Sequence, residues 1–169
     1  GNLASRTVNG ETYSYTYDSD WSDLLLSVKD ASNQAVRSYT YDAVGNPLSD
    51  GVYNYVWSGG RLKEVRGATD NELIASYTYD ANGSLVKETT VSPEGSGGKK
   101  EEKETFYHYD LLNRQVRVEG PEGRSTESHY DGEGLRAGLT TGKGESYTFL
   151  YHQGELMGEE GKEASGGGT

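Results

Sequence analysis

Carboxylates and imidazoles are the residues of this chain best able to do chemistry. The densest acidic cluster is Asp18-x-Asp20-x-x-Asp23, but it lacks the glycine and the closing glutamate of a calcium-binding loop. Asp18, Asp42, Asp80, Asp110 and Asp131 recur along the chain. A calcium ion needs about six oxygens converging on one point, whereas one aspartate per unit suits the opening of a turn. His108, His129 and His152 would have to converge to hold zinc. Strand alternation sets His108 opposite Tyr107 and Tyr109, and His152 stands where a turn opens.

Other chemistries find still less. With no cysteine there is no thiol nucleophile, thiolate metal site or disulfide, and the redox compartment stays open. Serines are plentiful, yet no Gly-x-Ser-x-Gly elbow occurs. Gly95-Ser96-Gly97-Gly98-Lys99-Lys100 lacks the Gly-Lys-Ser/Thr ending and following helix of a phosphate loop. The expectation is therefore no enzyme, no catalytic residue, no cofactor and no metal.

The elements that would position any site come from an internal repeat. Tyr15-Thr16-Tyr17-Asp18, Tyr39-Thr40-Tyr41-Asp42, Tyr77-Thr78-Tyr79-Asp80 and Tyr107-His108-Tyr109-Asp110 are near-identical tetrads. Weaker copies are Tyr55-Val56-Trp57-Ser58, Ser128-His129-Tyr130-Asp131 and Phe149-Leu150-Tyr151-His152. Their fourth residues are spaced by 24, 16, 22, 30, 21 and 21, which places the chain among repeat architectures. Alternation puts the two aromatics of a tetrad on one face of a strand, and Tyr13 extends that face. The aspartate opens a turn, and the residue three places on must accept a positive φ: Gly45, Gly83, Asn113 and Gly134.

After each turn the chain extends again, as in Arg61-Leu62-Lys63-Glu64-Val65, Ser84-Leu85-Val86-Lys87-Glu88 and Arg114-Gln115-Val116-Arg117-Val118. Second turns follow at Asn9-Gly10, Gly67–Asn71 and Gly120–Gly123. The unit is two strands and two turns, and successive units add hairpins side by side. Leu24-Leu25-Leu26 with Val28 either covers an apolar edge or starts the next strand. Residues 92–104 read as a flexible, solvated insertion, and residues 158–169 as a frayed glycine-rich tail. No helical stripe is present.

Composition agrees with a sheet and narrows the partners. The apolar fraction is 32 %, and 14 tyrosines against 2 Phe and 2 Trp supply the large contact surfaces, so the expectation is a tyrosine-built core. Glycine, at 24 of 169 residues, is about twice its usual share of roughly 7 %. A net charge of -11 opposes nucleic acid and anionic membranes. No run of 18 apolar residues and no N-terminal secretion signal is present.

The Tyr-x-Tyr-Asp-x-x-Gly pattern, above all residues 39–46 and 77–85, resembles the YD repeat of the Rhs (rearrangement hotspot) proteins. Related repeats occur in the cocoon subunits of insecticidal toxin complexes, in bacterial wall-associated proteins and in teneurins. The resemblance covers residues 1 to about 157, with Gly60-Arg61-Leu62 approximating the family's commonest turn. It implies an all-β fold of repeated hairpins in a single curved antiparallel strip, an open fragment of a YD-repeat shell. It also implies a secreted or bacterial cell-surface setting within a longer protein. The implied partners are neighbouring repeats of the parent chain and a C-terminal toxin cargo.

The family's aspartate-containing self-cleavage motif is not visible after Leu156-Met157-Gly158-Glu159-Glu160, so no catalytic residue carries over. The residues assigned a structural role in the repeat are Tyr15, Tyr17, Asp18, Tyr39, Tyr41, Asp42, Gly45, Tyr55, Trp57, Tyr77, Tyr79, Asp80, Gly83, Tyr107, Tyr109, Asp110, Asn113, Tyr130, Asp131 and Gly134. Two functions fit them: passive encapsulation, or a cell-surface module whose tyrosines bind carbohydrate or protein. Open strand edges also invite edge-to-edge self-association. Lys63, Glu64, Lys87, Glu88, Arg114 and Arg117, with the net charge, are expected to restrain it.

Overall fold

In the computed structural model, which describes residues 2–20, 23–92 and 100–163, every regular element is a β-strand except one short 3-10 turn at Pro121–Gly123. The chain divides into two units, Gly1–Ser76 and Tyr77–Thr169. The first begins with β1 (Ser5–Val8), β2 (Glu11–Tyr17), β3 (Leu25–Lys29) and β4 (Ala35–Ser38), an antiparallel sheet in chain order. It continues with β5 (Thr40–Tyr41), β6 (Pro47–Ser49), β7 (Tyr53–Ser58) and β8 (Arg61–Gly67). β9 (Leu73–Tyr79) carries the chain across the division.

The second unit holds β10 (Leu85–Ser92), β11 (Glu101–Tyr109), β12 (Gln115–Glu119), β13 (Ser125–Tyr130), β14 (Arg136–Thr141), β15 (Ser146–His152) and β16 (Glu155–Lys162). β5 to β16 lie in chain order in a 12-stranded sheet with β5 and β16 at its ends, so neither sheet closes into a barrel. The expected all-β hairpin architecture is what the chain adopts. No helix among the described residues is long and apolar enough to cross a membrane.

Alternation dictates the faces. Tyr13, Tyr15 and Tyr17 are half-buried while Thr12, Ser14 and Thr16 are exposed, and the pattern repeats around Tyr39, Tyr41 and Thr40. Yet the tyrosines do not make an enclosed core. Among the described residues only Ala75, at 6 % exposure, is buried. A half-covered tyrosine face therefore replaces the expected tyrosine core among the described residues. Cohesion comes from ladder hydrogen bonds and cross-strand pairs, each pair worth roughly 0.2 to 1 kcal/mol.

The structure corrects three further expectations. Ser92 and Glu101–Glu104, expected in a flexible insertion, belong to strands. Ser92 pairs with Glu101 and Thr89 with Glu104, and the Lys87–Glu104 ion pair of 2.6 Å lies in the same ladder. Residues 93–99 lie outside the described residues. Gly158 to Lys162, expected to fray, form part of β16, held by β15 from Gly158↔Leu150 to Lys162↔Ser146. Residues 164–169 lie outside the described residues. Finally, Lys63, Glu64, Lys87, Glu88 and Arg117 guard no edge: they sit on β8, β10 and β12, each flanked by strands on both sides.

Candidate functional site

Each tetrad strand ends in a turn whose geometry is set by the aspartate. Asp42 Oδ1 accepts the backbone N–H groups of Val44 (3.0 Å) and Asn46 (2.8 Å), and Oδ2 accepts the Asn46 side-chain amide at 2.9 Å. The Gly45 N–H donates to Asp42 O at 3.1 Å, and the Asp42 N–H to Asn46 O at 2.9 Å. This is a type I turn closed by a bulge residue in the left-handed region. Gly45 (φ 89°), Gly83 (φ 90°) and Gly134 (φ 85°) take that position, and Asn113 (φ 60°) takes it in the fourth tetrad.

The same frame recurs at Asp80, Asp110 and Asp131. Asp80 Oδ1 accepts from Ser84 N–H at 2.8 Å, Asp110 Oδ1 from Leu112 and Arg114, and Asp131 Oδ1 from Glu133 and Leu135. Asp18 opens a wider loop, its Oδ1 taking the Asp20 N–H and its own N–H reaching Leu24 O. Where the tetrad lacks aspartate, the loop shrinks to two residues. Ser58 pairs with Arg61 around Gly59-Gly60, and His152 with Glu155 around Gln153-Gly154, with positive φ at all four loop residues.

The second aromatic of the tetrad forms a further bond that sequence reasoning missed. Tyr17 donates its hydroxyl to Leu3 O (3.2 Å), Tyr41 to Leu25 O (2.8 Å), and Tyr109 to Leu85 O (3.0 Å). Tyr130 donates to Gln115 O (2.8 Å) and Tyr151 to Arg136 O (3.1 Å). Trp57 does the same with Nε1–H, to Pro47 O at 2.7 Å.

The accepting carbonyls follow a rule. Leu25, Pro47, Gln115 and Arg136 are the cross-strand partners of Tyr17, Tyr41, Tyr109 and Tyr130. Each of these four bridging carbonyls is thus taken by an aromatic of a later tetrad. A register shift accompanies every one of these pairs, and also Trp57↔Leu62 and Tyr151↔Leu156, between Thr16/Tyr17, Thr40/Tyr41, His108/Tyr109, His129/Tyr130, Val56/Trp57 and Leu150/Tyr151. A bulge interrupts the ladder, and a polar-tipped ring supplies the donor that phenylalanine could not. The presence of Tyr or Trp, never Phe, at the third tetrad position was the available signal.

Two of the first aromatics meet carboxylates instead. Tyr55 donates to Asp50 Oδ2 (3.2 Å) and Tyr107 to Glu88 Oε2 (3.1 Å). Burial, then the Glu88 hydrogen bond and charge, push the Tyr107 phenol up; burial and the Glu88 charge do the same to Tyr77. Tyr15, Tyr39 and Tyr79 are half-buried on the strand faces. The Asn46 side-chain amide and backbone N–H groups hold the Asp42 carboxyl below its usual range. At Asp110 the Arg114 backbone N–H and then its guanidinium, 2.7 Å away, do so. Arg114 also lies 4.6 Å from the Tyr130 ring centroid.

Two turns lay outside the tetrad reading. Asp30 Oδ1 accepts from Ser32 and Gln34 around Asn33 (φ 61°), and Thr141 Oγ1 accepts from Glu145 around Gly144 (φ 84°). The Asp-x-x-Asn spacing of Asp30 and Asn33 matches that of Asp110 and Asn113 and could have revealed the first.

Chemically, these aspartates are turn frames whose oxygens already accept backbone donors. His108 Nε2 lies 3.8 Å from Glu119, His129 Nε2 3.2 Å from Thr140 Oγ1, and His152 opens a two-residue loop. No group of three or more metal-ligating side chains exists among the described residues. An open groove of 340 Å³ between Glu122–Thr126 and Thr141–Glu145 mixes Arg124 and Lys143 with Glu122 and Glu145.

No protein-family model matches the sequence, and no curated protein matches it. Solved structures do match the fold. The TcdB2-TccC3 structure aligns over 91 % of this chain at TM-score 0.50 and 18 % identity. TcdB2-TccC3 without its hypervariable C-terminal region aligns over 92 % at 0.51 and 18 %, and TcdB2-TccC3-Cdc42 over 91 % at 0.50 and 17 %. The chain corresponds to 8 % of each of those chains. What is shared at this identity is the fold: a short run of hairpins matching a small part of a large toxin-complex chain.

Proposed function

We propose that this chain is a non-catalytic wall segment of an Rhs-type shell, secreted or at a bacterial surface as part of a longer protein, that encloses a toxin or other C-terminal cargo. The observation that carries this reading is the ladder of aromatic donors, in which Tyr41, Trp57, Tyr109, Tyr130 and Tyr151 tie their hairpins to earlier ones through Leu25, Pro47, Leu85, Gln115 and Arg136. Such a device propagates a sheet from repeat to repeat without needing an enclosed interior, which is the requirement of a wall. The YD-repeat resemblance and the likeness to TcdB2-TccC3 support it. One of those structures is described by the absence of a hypervariable C-terminal region, as expected of a scaffold with a separable cargo.

The test uses the full-length polypeptide that carries this segment. Replacing residues 1–157 by a Gly-Ser linker of equal length should expose the C-terminal cargo to protease, while the unaltered chain protects it. Equal cleavage of both would end the shell reading. Saturable, micromolar binding of a glycan by the isolated chain would favour the surface-recognition module instead.

A further inference from the structure

Asparagine is followed by glycine at Asn9-Gly10 and Asn82-Gly83. In such a pair the glycine nitrogen can reach the asparagine side chain with no Cβ in the way. Whether it does so turns on the hydrogen bond that the nitrogen already makes.

At Asn82-Gly83 the nitrogen is engaged. Gly83 N–H donates to Asp80 O at 3.1 Å, and the turn is closed by Asp80 N–H to Ser84 O (2.9 Å) and Ser84 N–H to Asp80 Oδ1 (2.8 Å). Elsewhere too the amide after an asparagine is held. Gln34 N–H donates to Asp30 Oδ1, Glu72 N–H to Asp70 Oδ1 and Arg114 N–H to Asp110 Oδ1, each at 2.9 Å. Asn46 precedes Pro47, which has no N–H.

Gly10 differs. Asn9 (φ 51°) and Gly10 (φ 83°) are the central residues of the two-residue loop between Val8 and Glu11. The second central amide of such a turn lies outside the ladder. Among the described residues nothing accepts the Gly10 N–H, both residues are exposed, and a Cβ on Gly10 would meet nothing within 4 Å. β1 has four residues, all exposed, and among the described strands it pairs with β2 alone. Asn9 therefore leaves the turn geometry at small cost, as the residues of a weakly held edge do.

We propose that Asn9 is a site of intramolecular deamidation, selective over Asn82, whose isoaspartate product releases β1. The Gly10 nitrogen attacks Asn9 Cγ, the Cγ–Nδ2 bond breaks, and ammonia leaves carrying the proton that Gly10 gives up. The product is a five-membered succinimide. Water then opens the ring. Opening at Cγ gives aspartate, and opening at the Asn9 main-chain carbonyl gives isoaspartate, with the chain running through Cβ and Cγ. Water is the only co-reactant, no electron changes hands, and either product is one charge more negative than the present -11. Isoaspartate inserts an extra atom into the backbone of a loop that has no slack for it. With the loop go the Ser5–Val8 ladder, the Tyr15 N–H bond to Ala4 O (3.0 Å) and the Tyr17 hydroxyl bond to Leu3 O. None of this depends on the shell reading.

The experiment ages the full chain in mildly alkaline buffer, folded and in guanidinium chloride, and follows the tryptic peptides carrying Asn9 and Asn82 by mass spectrometry. In the folded chain Asn9 should convert at least tenfold faster than Asn82, and in denaturant the two rates should converge. Asn82 converting as fast as Asn9 in the folded chain overturns the proposal. So does an Asn9 that stays intact while the unfolded chain converts. Asn9→Gln, whose longer side chain would have to close a six-membered ring, should stop the reaction in that peptide. Amide hydrogen exchange then tests the product. On the separated isoaspartate form the Tyr15 amide should exchange at least tenfold faster than on the fresh chain, while Asn9→Asp, the α-linked product, should leave it unchanged. Unchanged exchange in the isoaspartate form, or equal acceleration in Asn9→Asp, overturns release of β1 by the added backbone atom.

Discussion

The hairpins have two kinds of end, and the contrast between them is the most informative feature of the molecule. At the end where the tetrads stop, Asp42, Asp80, Asp110 and Asp131 build one turn four times over, each with a positive-φ residue three places on. At the opposite end the devices differ from hairpin to hairpin. Asn9-Gly10 makes a two-residue loop, Asp50 caps Val52 and Tyr53, and Gly67–Glu72 closes around Asp70. Gly120–Arg124 carries Glu122 at φ 63°. The shared turn accompanies the latch at Tyr41, Tyr109 and Tyr130, while Tyr17, Trp57 and Tyr151 latch beside the wider Asp18 loop and the two-residue loops. The free end absorbs variation, as loops do when no contact depends on them.

Four measurements can break or sharpen this contrast. The largest effect is expected from Gly45→Val, which forces a β-branched residue to φ 89° and should cost about 2 kcal/mol in urea unfolding. Thr40→Val, on the exposed face of the same hairpin, should stay within about 0.5 kcal/mol. Equal costs would mean that the tetrad turn is not specially constrained.

Next, Tyr130→Phe removes the donor to Gln115 O and should cost about 1 kcal/mol. Tyr13→Phe, which loses only an exposed bond to Glu11, should change stability by less than about 0.5 kcal/mol. A latch that costs no more than Tyr13 would be ornamental. At the free end, Glu122→Gly should instead stabilise by about 0.5 kcal/mol by relieving a side chain held at positive φ.

The smallest effect concerns acid. Asp42 and Asp110 are held below the ordinary carboxylate range in the folded state. Their stabilisation is complete above the unfolded value, near pH 4, and is lost as pH falls through the lower folded values. Asp42→Asn and Asp110→Asn should each flatten the acid limb of a stability-against-pH curve. Salt should weaken the Asp110 contribution more, since Arg114 is a charged partner where Asn46 is neutral. An acid limb unchanged in both variants would show that these turns do not titrate with folding.

Much of the tetrad end was legible in the sequence because local chemistry decides it. Aspartate followed three residues later by glycine or asparagine specifies a turn almost without reference to the rest of the chain. The latch was not legible as a bond, since its acceptors lie 10 to 24 residues upstream and depend on a bulge register that spacing alone does not reveal. Nor was the extent of β11, because Glu101-Glu102-Lys103-Glu104 reads as solvated sequence until Thr89–Ser92 stands beside it.

That Ala75 alone is buried among the described residues bears on calorimetry. Unfolding heat capacity grows with the apolar surface newly wetted, about 12 to 15 cal/mol/K per residue in ordinary globular domains. A sheet already wet on much of both faces exposes less on melting. Its increment should fall below that range, and its free energy of unfolding should vary almost linearly with temperature, without the pronounced dome of a cored domain.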